Sequence, residues 1–303
     1  MARELRVEPA AARGVSEHRS LAWKRASQLN RLTRLFESAE LPSGDLPPPL
    51  GEIYDGGLSI REGGVYANFV SSIDGIVALE GGAAASGGVI SGRNETDRFV
   101  MGLLRAFADA VLVGAGTVRA EGGKALWTPD YIFPAAGEAF AALRRSLKRD
   151  TTPRLVIVTA RGDLDPSQRA LQVGALVLTT NAAAEQLRKA LPEANEVRGV
   201  SDGDSIGVDQ IFATLKAEGN ETILTEGGPH LFGQLVAANR VDELFLTVSP
   251  KFVGQQGQSF GLIRGVDFGR TLKGGRLLSV RLADSYLFLR YQLDRSPSPS
   301  GGG

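Results

Sequence analysis

Two glycines, Gly227 and Gly228, follow an apolar run and directly precede a helical pattern. Glu226 stands before them and Pro229 after them. Successive glycines let a ligand approach the backbone without meeting a Cβ atom. Pro229 suits the first position of a helix, whose free N–H groups would then face an anion. The pattern predicts a phosphate site, although an ordinary strand-to-helix turn explains this fragment alone equally well.

A second glycine turn contains Gly114, Ala115, Gly116 and Thr117, and Arg119 follows it. The turn begins like the dinucleotide fingerprint G-x-G-x-x-G, but Arg119 occupies the place of the third glycine. No strand-ending acid follows about 20 residues later, so the Rossmann interpretation fails. What remains is a glycine loop whose N–H groups and Thr117 hydroxyl would contact a phosphate.

Two further strand ends are polar. After Asn68 and Ser72, Asp74 precedes a glycine, which is typical either of a turn residue or of a carboxyl that acts as acid, base or hydrogen-bond partner. Thr159 and Arg161 leave another strand together. If Arg161 is not simply solvated, its guanidinium suits a phosphate such as the 2′-phosphate that distinguishes NADP from NAD.

The elements that would position these residues alternate between apolar runs and amphipathic helical patterns. Strands are predicted at residues 65–73, 110–113, 155–158, 175–178, 222–225 and 243–249, and helices at residues 94–107, 183–191, 208–217 and 229–238. This order predicts a mainly parallel α/β sheet covered on both faces. Residues 276–282 and 286–293 predict an antiparallel hairpin that makes the sheet mixed. Ligands gather outside the carboxyl ends of strands in such sheets, so the four polar ends predict one site.

Composition limits the function classes. The 303 residues are 43% hydrophobic, and 34 Lys plus Arg balance 34 Asp plus Glu, which gives no argument for nucleic acid or a membrane surface. There is no cysteine, and only His18 and His230 offer imidazole, so no transition-metal site is expected; carboxylate-bound magnesium stays open. His230 is interpreted as a surface or packing residue. No apolar run approaches a membrane span, and we expect a cytoplasmic protein with a small-molecule ligand.

The two ends of the sequence differ from the middle. Residues 1–45 are charged, with leucines and Phe36 at roughly helical intervals, which predicts an N-terminal helical extension. Residues 294–303 are low in complexity and predict a disordered tail. Residues 46–293 form the predicted main domain.

Five segments in this order resemble one known family. They are Ser72-Ile73-Asp74-Gly75, Ser86-Gly87, and residues 105–118, 223–229 and 241–250. Together they resemble the reductase domain of the bacterial bifunctional riboflavin-biosynthesis deaminase–reductase, a branch of the dihydrofolate-reductase-like fold. The resemblance covers roughly residues 60–293.

The resemblance implies a three-layer dihydrofolate-reductase-like sandwich that transfers hydride from NADPH and forms a homodimer. The implied substrate is a phosphoribosylamino-pyrimidine, whose ribosyl group is reduced to a ribityl chain. The implied cofactor-binding residues are Gly114, Ala115, Gly116, Thr117, Thr159, Arg161, Glu226, Gly227, Gly228, Pro229 and Leu231. The implied substrate-binding residues are Asn68, Ser72, Asp74, Arg119 and Glu226. Asp74 and Glu226 are the expected catalytic residues, with Asp74 as the donor of a proton to the sugar ring oxygen.

Two departures from the family limit what it implies. Residues 1–60 are too short for the zinc deaminase and contain no cysteine, so no deaminase is expected in this sequence. The family's Asp-x-Pro segment and following arginine, which help to hold the substrate, are missing after residue 117; Arg119 or Lys124 would have to replace that phosphate contact. A dihydrofolate or pterin reductase and a non-catalytic nucleotide-binding paralogue therefore remain as alternatives.

Overall fold

The structure is a computed structural model that describes residues 31–42, 44–79, 86–254, 259–270 and 272–295. The strands are β1 (Thr33–Glu37), β2 (Val65–Ser71), β3 (Ala78–Leu79), β4 (Ala110–Gly114), β5 (Arg154–Val158), β6 (Leu176–Thr180), β7 (Glu196–Ser201), β8 (Ile223–Thr225), β9 (Glu243–Val248), β10 (Ser259–Phe260), β11 (Gly275–Ala283) and β12 (Tyr286–Leu293).

Helices connect most of these strands. They are α1 (Pro48–Tyr54), α2 (Ser86–Ile90), α3 (Glu95–Phe107), α4 (Ala115–Glu121), α5 (Pro129–Ile132), α6 (Gly137–Ser146), α7 (Arg169–Val173), α8 (Asn181–Ala190), α9 (Val208–Ala217) and α10 (Pro229–Ala237), with a 3-10 turn at Pro134–Ala136. Among the described residues no helix is both long and apolar enough to cross a bilayer.

Ten strands form one mixed sheet in the order β1-β11-β12-β9-β2-β8-β4-β5-β6-β7. The pairs from β9 to β7 are parallel, and those from β1 to β9 are antiparallel. The prediction of a mainly parallel mixed sheet with an antiparallel C-terminal hairpin is therefore confirmed. Strands β3 and β10 form a separate antiparallel ladder.

The sheet has a hydrophobic core on each face, as the three-layer prediction required. Alternate residues of one strand point to opposite faces, and in β4 Val111 packs in one core while Leu112 packs in the other. The first core includes Phe99 of α3, and the second includes Phe232 of α10. Burial on both faces explains why β4 and the first three residues of β6 form continuous apolar runs that lack the alternation of a half-exposed strand.

The register of the central strands brings the polar strand ends together. Thr225 of β8 pairs with Ala67 of β2 on one side and with Leu112 of β4 on the other. Gly114 at the end of β4 pairs with Val158 of β5. These strands are parallel, so the residues that follow their carboxyl ends meet at one edge of the sheet.

The N-terminal helix prediction is wrong where it can be checked. Residues 33–37 form β1, which pairs antiparallel with β11 and belongs to the main sheet. Leu32 is buried, but Leu35 and Phe36 are exposed, so the helical spacing of these side chains does not define a buried helix face. The backbone hydrogen bonds to β11 decide the conformation instead. Residues 1–30 of the predicted extension and residues 296–303 of the predicted tail lie outside the described residues.

The hairpin turns at Asp284, which adopts a left-handed φ of 53°. Strand β12 is not an edge, because it lies between β11 and β9. The hairpin therefore closes inside the sheet, and the exposed edges are β1 and β7. Strand β7 and the helices α1, α2 and α4–α7 were missing from the sequence prediction. All of these helices except α6 have seven residues or fewer, which is too few to show a clear period.

Candidate active site

A cleft of about 1620 Å³ opens at the edge where the carboxyl ends of the central strands meet. The ends of β2, β4, β5 and β8 line it, together with residues of α3 and α4 and the first turn of α10. Sites for one drug-sized ligand span roughly 300–1,000 Å³. This cleft therefore has room for two ligands side by side.

Two helices begin at glycines on the wall of the cleft. Gly114 precedes α4 and Gly228 precedes α10, and neither helix has a side chain that caps its first N–H groups. Pro229 occupies the first turn of α10, as the sequence predicted. A Cβ atom built on Gly228 would lie 3.4 Å from the Thr117 hydroxyl oxygen, so the two glycine turns face each other. Uncapped N–H groups of this kind favour an anion.

The glycines of these turns are required for different reasons. A Cβ on Gly227 would approach the end of the Leu231 side chain to 2.8 Å, so a larger residue there would require that side chain to move. A Cβ on Gly114 would meet no protein atom within 4 Å, and one on Gly116 would come no closer than 3.9 Å to Arg119. Protein packing therefore does not explain Gly114, and the space beside it leaves room for a ligand against the backbone.

Thr159 and Arg161 lie at the end of the cleft beside β5. The Thr159 hydroxyl accepts a hydrogen bond from the Gly162 N–H at 3.1 Å, which closes the turn after the strand. No described carboxylate forms an ion pair with the exposed Arg161 guanidinium. This leaves a free positive charge at this end of the cleft.

Arg119 lies at this same end of the cleft. Its Nη1 donates to the Asp163 carbonyl oxygen at 2.8 Å and lies 3.2 Å from the Asp163 carboxylate. Arg119 thus lies beside the turn that carries Thr159 and Arg161. Its predicted contact with the substrate phosphate stays a prediction, since Arg119 lines the cleft but its guanidinium is paired with Asp163.

Glu226 forms a buried ion pair with Arg105 in the centre of the cleft. Arg105 Nε and Nη2 reach the two carboxylate oxygens at distances of 2.7 to 3.2 Å. The side chains of Arg105 and Glu226 are only 6% and 8% exposed. Arg105 Nη1 also donates to the carbonyl oxygens of Leu126 and Thr128, at 3.2 and 3.4 Å. Both charged groups are therefore fixed in position.

Ser72 and Asp74 are not among the described residues that line the cleft, which corrects the expectation for both. The buried Ser72 hydroxyl accepts the Ile76 N–H at 3.0 Å. The exposed Asp74 carboxylate accepts the N–H groups of Val253 and Gly254. Hydrogen bonds from the Ser72 side chain and from these two N–H groups lower the pKa of Asp74 to about 2. An ionised carboxylate that holds a loop is poorly suited to donate a proton.

Asp97 is a cleft residue that the sequence interpretation missed. It lies in the first turn of α3 and is 6% exposed. Burial raises the pKa of its carboxyl to about 6, and the charge of Glu226 adds to this, while a hydrogen bond with Thr247 opposes it. In the sequence Asp97 resembled an ordinary first-turn acid, and no local pattern shows that this side of the helix faces a cleft.

Glu121, at the end of α4, was also missed. Its side chain is reached by solvent in the cleft, yet protein atoms surround it closely enough that desolvation raises the pKa of its carboxyl. Arg98, Trp127 and Tyr131 complete this part of the wall. In the described part of the chain no group of three or more His, Asp or Glu side chains lies close enough together to hold a metal ion.

The structure brings most of the predicted site residues together. The predicted residues that line the cleft are Asn68, Gly114, Ala115, Gly116, Thr117, Arg119, Thr159, Arg161, Glu226, Gly227, Gly228, Pro229 and Leu231. They fall into two parts. The glycine turns with Thr159 and Arg161 form one part, which we call the glycine half. Asn68 with Asp97 and Arg98 of α3 forms the other, which we call the acid half.

Comparison with known proteins agrees with this fold. Residues 64–284 match the family described as RibD C-terminal domain. The chain is 27% identical over 195 residues to a 2,5-diamino-6-ribosylamino-4(3H)-pyrimidinone 5′-phosphate reductase of Archaeoglobus fulgidus, covering 63% of this chain and 81% of that protein.

Two solved structures share the fold at low sequence identity. A pyrimidine reductase-like protein from Corynebacterium diphtheriae has a TM-score of 0.62 at 22% identity, covering 77% of this chain and 92% of that one. RibD of Acinetobacter baumannii has a TM-score of 0.55 at 20% identity, covering 76% of this chain. The chain spans 58% of that RibD protein's length.

The buried Arg105–Glu226 pair generates a stability prediction. Glu226→Leu leaves the guanidinium buried without its carboxylate and is expected to lower the free energy of unfolding by about 3–5 kcal/mol. The double variant Arg105→Met, Glu226→Leu removes both charges and is expected to recover part of that loss. Urea denaturation of both variants and the wild type measures the difference. A double variant less stable than Glu226→Leu would contradict the prediction.

Proposed function

The chain belongs to the RibD C-terminal domain family, and on this premise we propose that it is an NADPH-dependent reductase of riboflavin biosynthesis. Its proposed substrate is a phosphorylated ribosylamino-pyrimidine, 5-amino-6-(5-phosphoribosylamino)uracil or a close relative, whose ribosyl group it reduces to ribityl. The observation that carries the proposal is the two-part cleft. One half offers uncapped helix ends and open glycines, and the other offers buried polar side chains beside β2.

The glycine half fits a dinucleotide diphosphate. Gly114 leaves open space where a Cβ would stand, and the facing α10 begins at Gly228 with free N–H groups. Arg161 and Thr159 lie where the chain leaves β5, at the end suited to a 2′-phosphorylated adenosine. When bound, the nicotinamide group supplies the hydride. The protein then has to hold the two reacting carbons at near-attack distance and exclude water.

The acid half fits the substrate. Arg93 and Arg98 line it, and no described carboxylate forms an ion pair with either guanidinium, so they join Arg119 as proposed contacts for the substrate phosphate. Arg98 is oriented by a hydrogen bond from its Nε to the Ile132 carbonyl oxygen at 3.0 Å. Asn68 and the ring of Trp127 would contact the pyrimidine.

Glu226 stands where the two halves meet. Arg105 occupies one side of each carboxylate oxygen, and the remaining lone pairs are available to hydroxyl or N–H groups of a ligand. We assign Glu226 a binding and orienting role.

A homodimer and a cytoplasmic location also remain proposals. The exposed edge strand β1 with Leu35 and Phe36 offers a surface on which a second copy could pair. The mass of the protein in solution tests the dimer.

The substrate proposal is tested by NADPH oxidation. We expect oxidation with the deaminated phosphoribosylamino-pyrimidine or with its 2,5-diamino counterpart, and the ratio of the two kcat/KM values identifies the substrate. Oxidation with dihydrofolate alone would support a pterin reductase instead. Binding of NADPH without turnover on any of the three compounds would indicate a non-catalytic protein.

The cofactor position is tested by adding one methyl group to the glycine half. Gly114→Ala has free space in the folded protein, so its melting temperature should match the wild type. If the diphosphate lies there, the clash should cost about 1–3 kcal/mol of binding, roughly 5- to 150-fold in the Kd for NADPH. Gly123→Ala, which also meets no atom within 4 Å but does not line the cleft, is the matched control. An unchanged Kd for Gly114→Ala would place the diphosphate elsewhere.

The preference for NADPH is tested at Arg161. A hydrogen bond to a charged group contributes about 1.5–3 kcal/mol, so Arg161→Ala should raise the KM for NADPH roughly 10-fold or more while leaving that for NADH nearly unchanged. Arg145→Ala removes an exposed positive charge from α6, outside the cleft, and serves as the control. Equal effects of Arg161→Ala on both cofactors would remove Arg161 from 2′-phosphate recognition.

A further inference from the structure

Four described carboxylates line the cleft: Asp97, Glu121, Asp163 and Glu226. Asp163 and Glu226 each form an ion pair with an arginine, and Glu121 is open to solvent. Asp97 alone is buried without a guanidinium partner in the described residues. Its hydrogen-bond partner is the buried Thr247 hydroxyl on β9.

The position of Asp97 places it in the acid half. Its hydrogen-bond partner Thr247 pairs in register with Val70 of β2, two residues beyond Asn68, and Asn68 and Val70 both line the cleft. The Asn94 side chain caps α3 by accepting the Asp97 N–H at 2.9 Å, which fixes the backbone of Asp97. The carboxyl is therefore held rigidly beside the space that we assign to the substrate.

We propose that Asp97 is the catalytic residue that gives a proton to the ring oxygen of the substrate's ribose. The inference rests on the proposed function and replaces the sequence-based assignment of Asp74. A buried carboxyl that touches the cleft is shielded from bulk water, so its proton is delivered to the substrate with little loss to solvent.

The step balances without a further reactant. The nitrogen lone pair on the pyrimidine forms a C=N bond to C1′ as the C1′–O4′ bond breaks, and O4′ takes the proton from Asp97 to become a hydroxyl. The hydride of NADPH then adds to C1′, and the C=N electron pair returns to nitrogen. The products are the ribitylamino-pyrimidine and NADP⁺. Solvent reprotonates Asp97, which accounts for the one proton that the reduction consumes.

Charged groups on several strands and helices around Asp97 influence the pKa of its carboxyl. Glu226, at the end of β8, favours the neutral acid, and Arg98 on the same helix favours the ionised form. The Tyr286 phenol of β12 also feels the charge of Asp97. Arg105 is held by Glu226 and neutralises part of its charge. Burial outweighs the opposing contributions and raises the pKa of Asp97 to about 6.

This balance gives the direction of the pH dependence. A general acid acts in its protonated form, so kcat/KM should fall as the pH rises through about 6. Ligands that displace water from the cleft raise the pKa of Asp97 further, so the corresponding fall in kcat should occur at higher pH.

The test compares full pH profiles of the intact enzyme with NADPH and the pyrimidine substrate that it turns over. Asp97→Asn keeps the side-chain shape and should lower kcat on the order of 10²- to 10⁴-fold, abolish the pH-dependent fall, and leave the Kd for NADPH within about twofold of the wild type. Thr247→Val removes the hydrogen bond that stabilises the ionised form. It should move the fall to higher pH. Asp209→Asn, an exposed residue of α9 that does not line the cleft, is the control.

Each outcome decides the assignment. An Asp97→Asn enzyme with wild-type turnover and an unchanged pH profile would overturn it. Loss of the fall in Glu121→Gln or Asp74→Asn, with the profile intact in Asp97→Asn, would assign the proton to that residue instead. A wild-type enzyme that oxidises NADPH with neither pyrimidine would overturn the proposed function, and this inference with it. This last result is obtained with the wild-type enzyme alone, whereas the first two outcomes require the variants. Failure of the proposed function can therefore be distinguished from failure of the Asp97 assignment.

Discussion

The ion pair between Arg105 and Glu226 is the interaction on which the geometry of the cleft depends. It joins α3, on one face of the sheet, to the residue that follows the central strand β8. Both side chains are almost fully buried, so either charge would be costly without the other. The Nη1 atom of Arg105 also donates hydrogen bonds to the carbonyl oxygens of Leu126 and Thr128, which fixes the segment that contains them. One guanidinium thus fixes three walls of the cleft relative to each other.

The two halves of the cleft use different physical means to favour a ligand. The glycine half relies on backbone N–H groups and on space left by missing side chains, which suits a diphosphate regardless of the rest of the ligand. The acid half relies on side chains. Asp97 is buried beside Thr247, and Arg93 and Arg98, which have no ion-pair partner among the described residues, line the same half. Glu226 belongs to both, because it stands at the start of the glycine turn and faces α3. This division fits the proposed function, in which one ligand is a widely shared cofactor and the other is a specific substrate.

Much of the fold was predictable because its signals are local. The helix predicted at residues 208–217 is α9 with unchanged bounds, and the central strands lie within one or two residues of their predicted positions. Continuous apolar runs and glycine turns can be recognised from residues that are adjacent in the sequence. The prediction failed at β1. The spacing of apolar residues there predicted a helix, but these residues form a strand that pairs with β11, about 240 residues away in the sequence. It also missed β7 and several helices, most of which are too short to show a period.

The sequence by itself determined the class of sheet, the two glycine turns and the polar strand ends, because these follow from local chain geometry and the alternation of strands and helices. Tertiary structure decided which polar groups reach the cleft. Asp74 looked like an acid next to a glycine, yet it holds the loop at Val253 and Gly254, while Asp97 looked like an ordinary helix-capping acid and lies buried in the cleft. The protonation of a carboxyl depends on the burial and charges around it. Those surroundings come from β8 and β9, more than a hundred residues away along the chain, and only the folded protein brings them together.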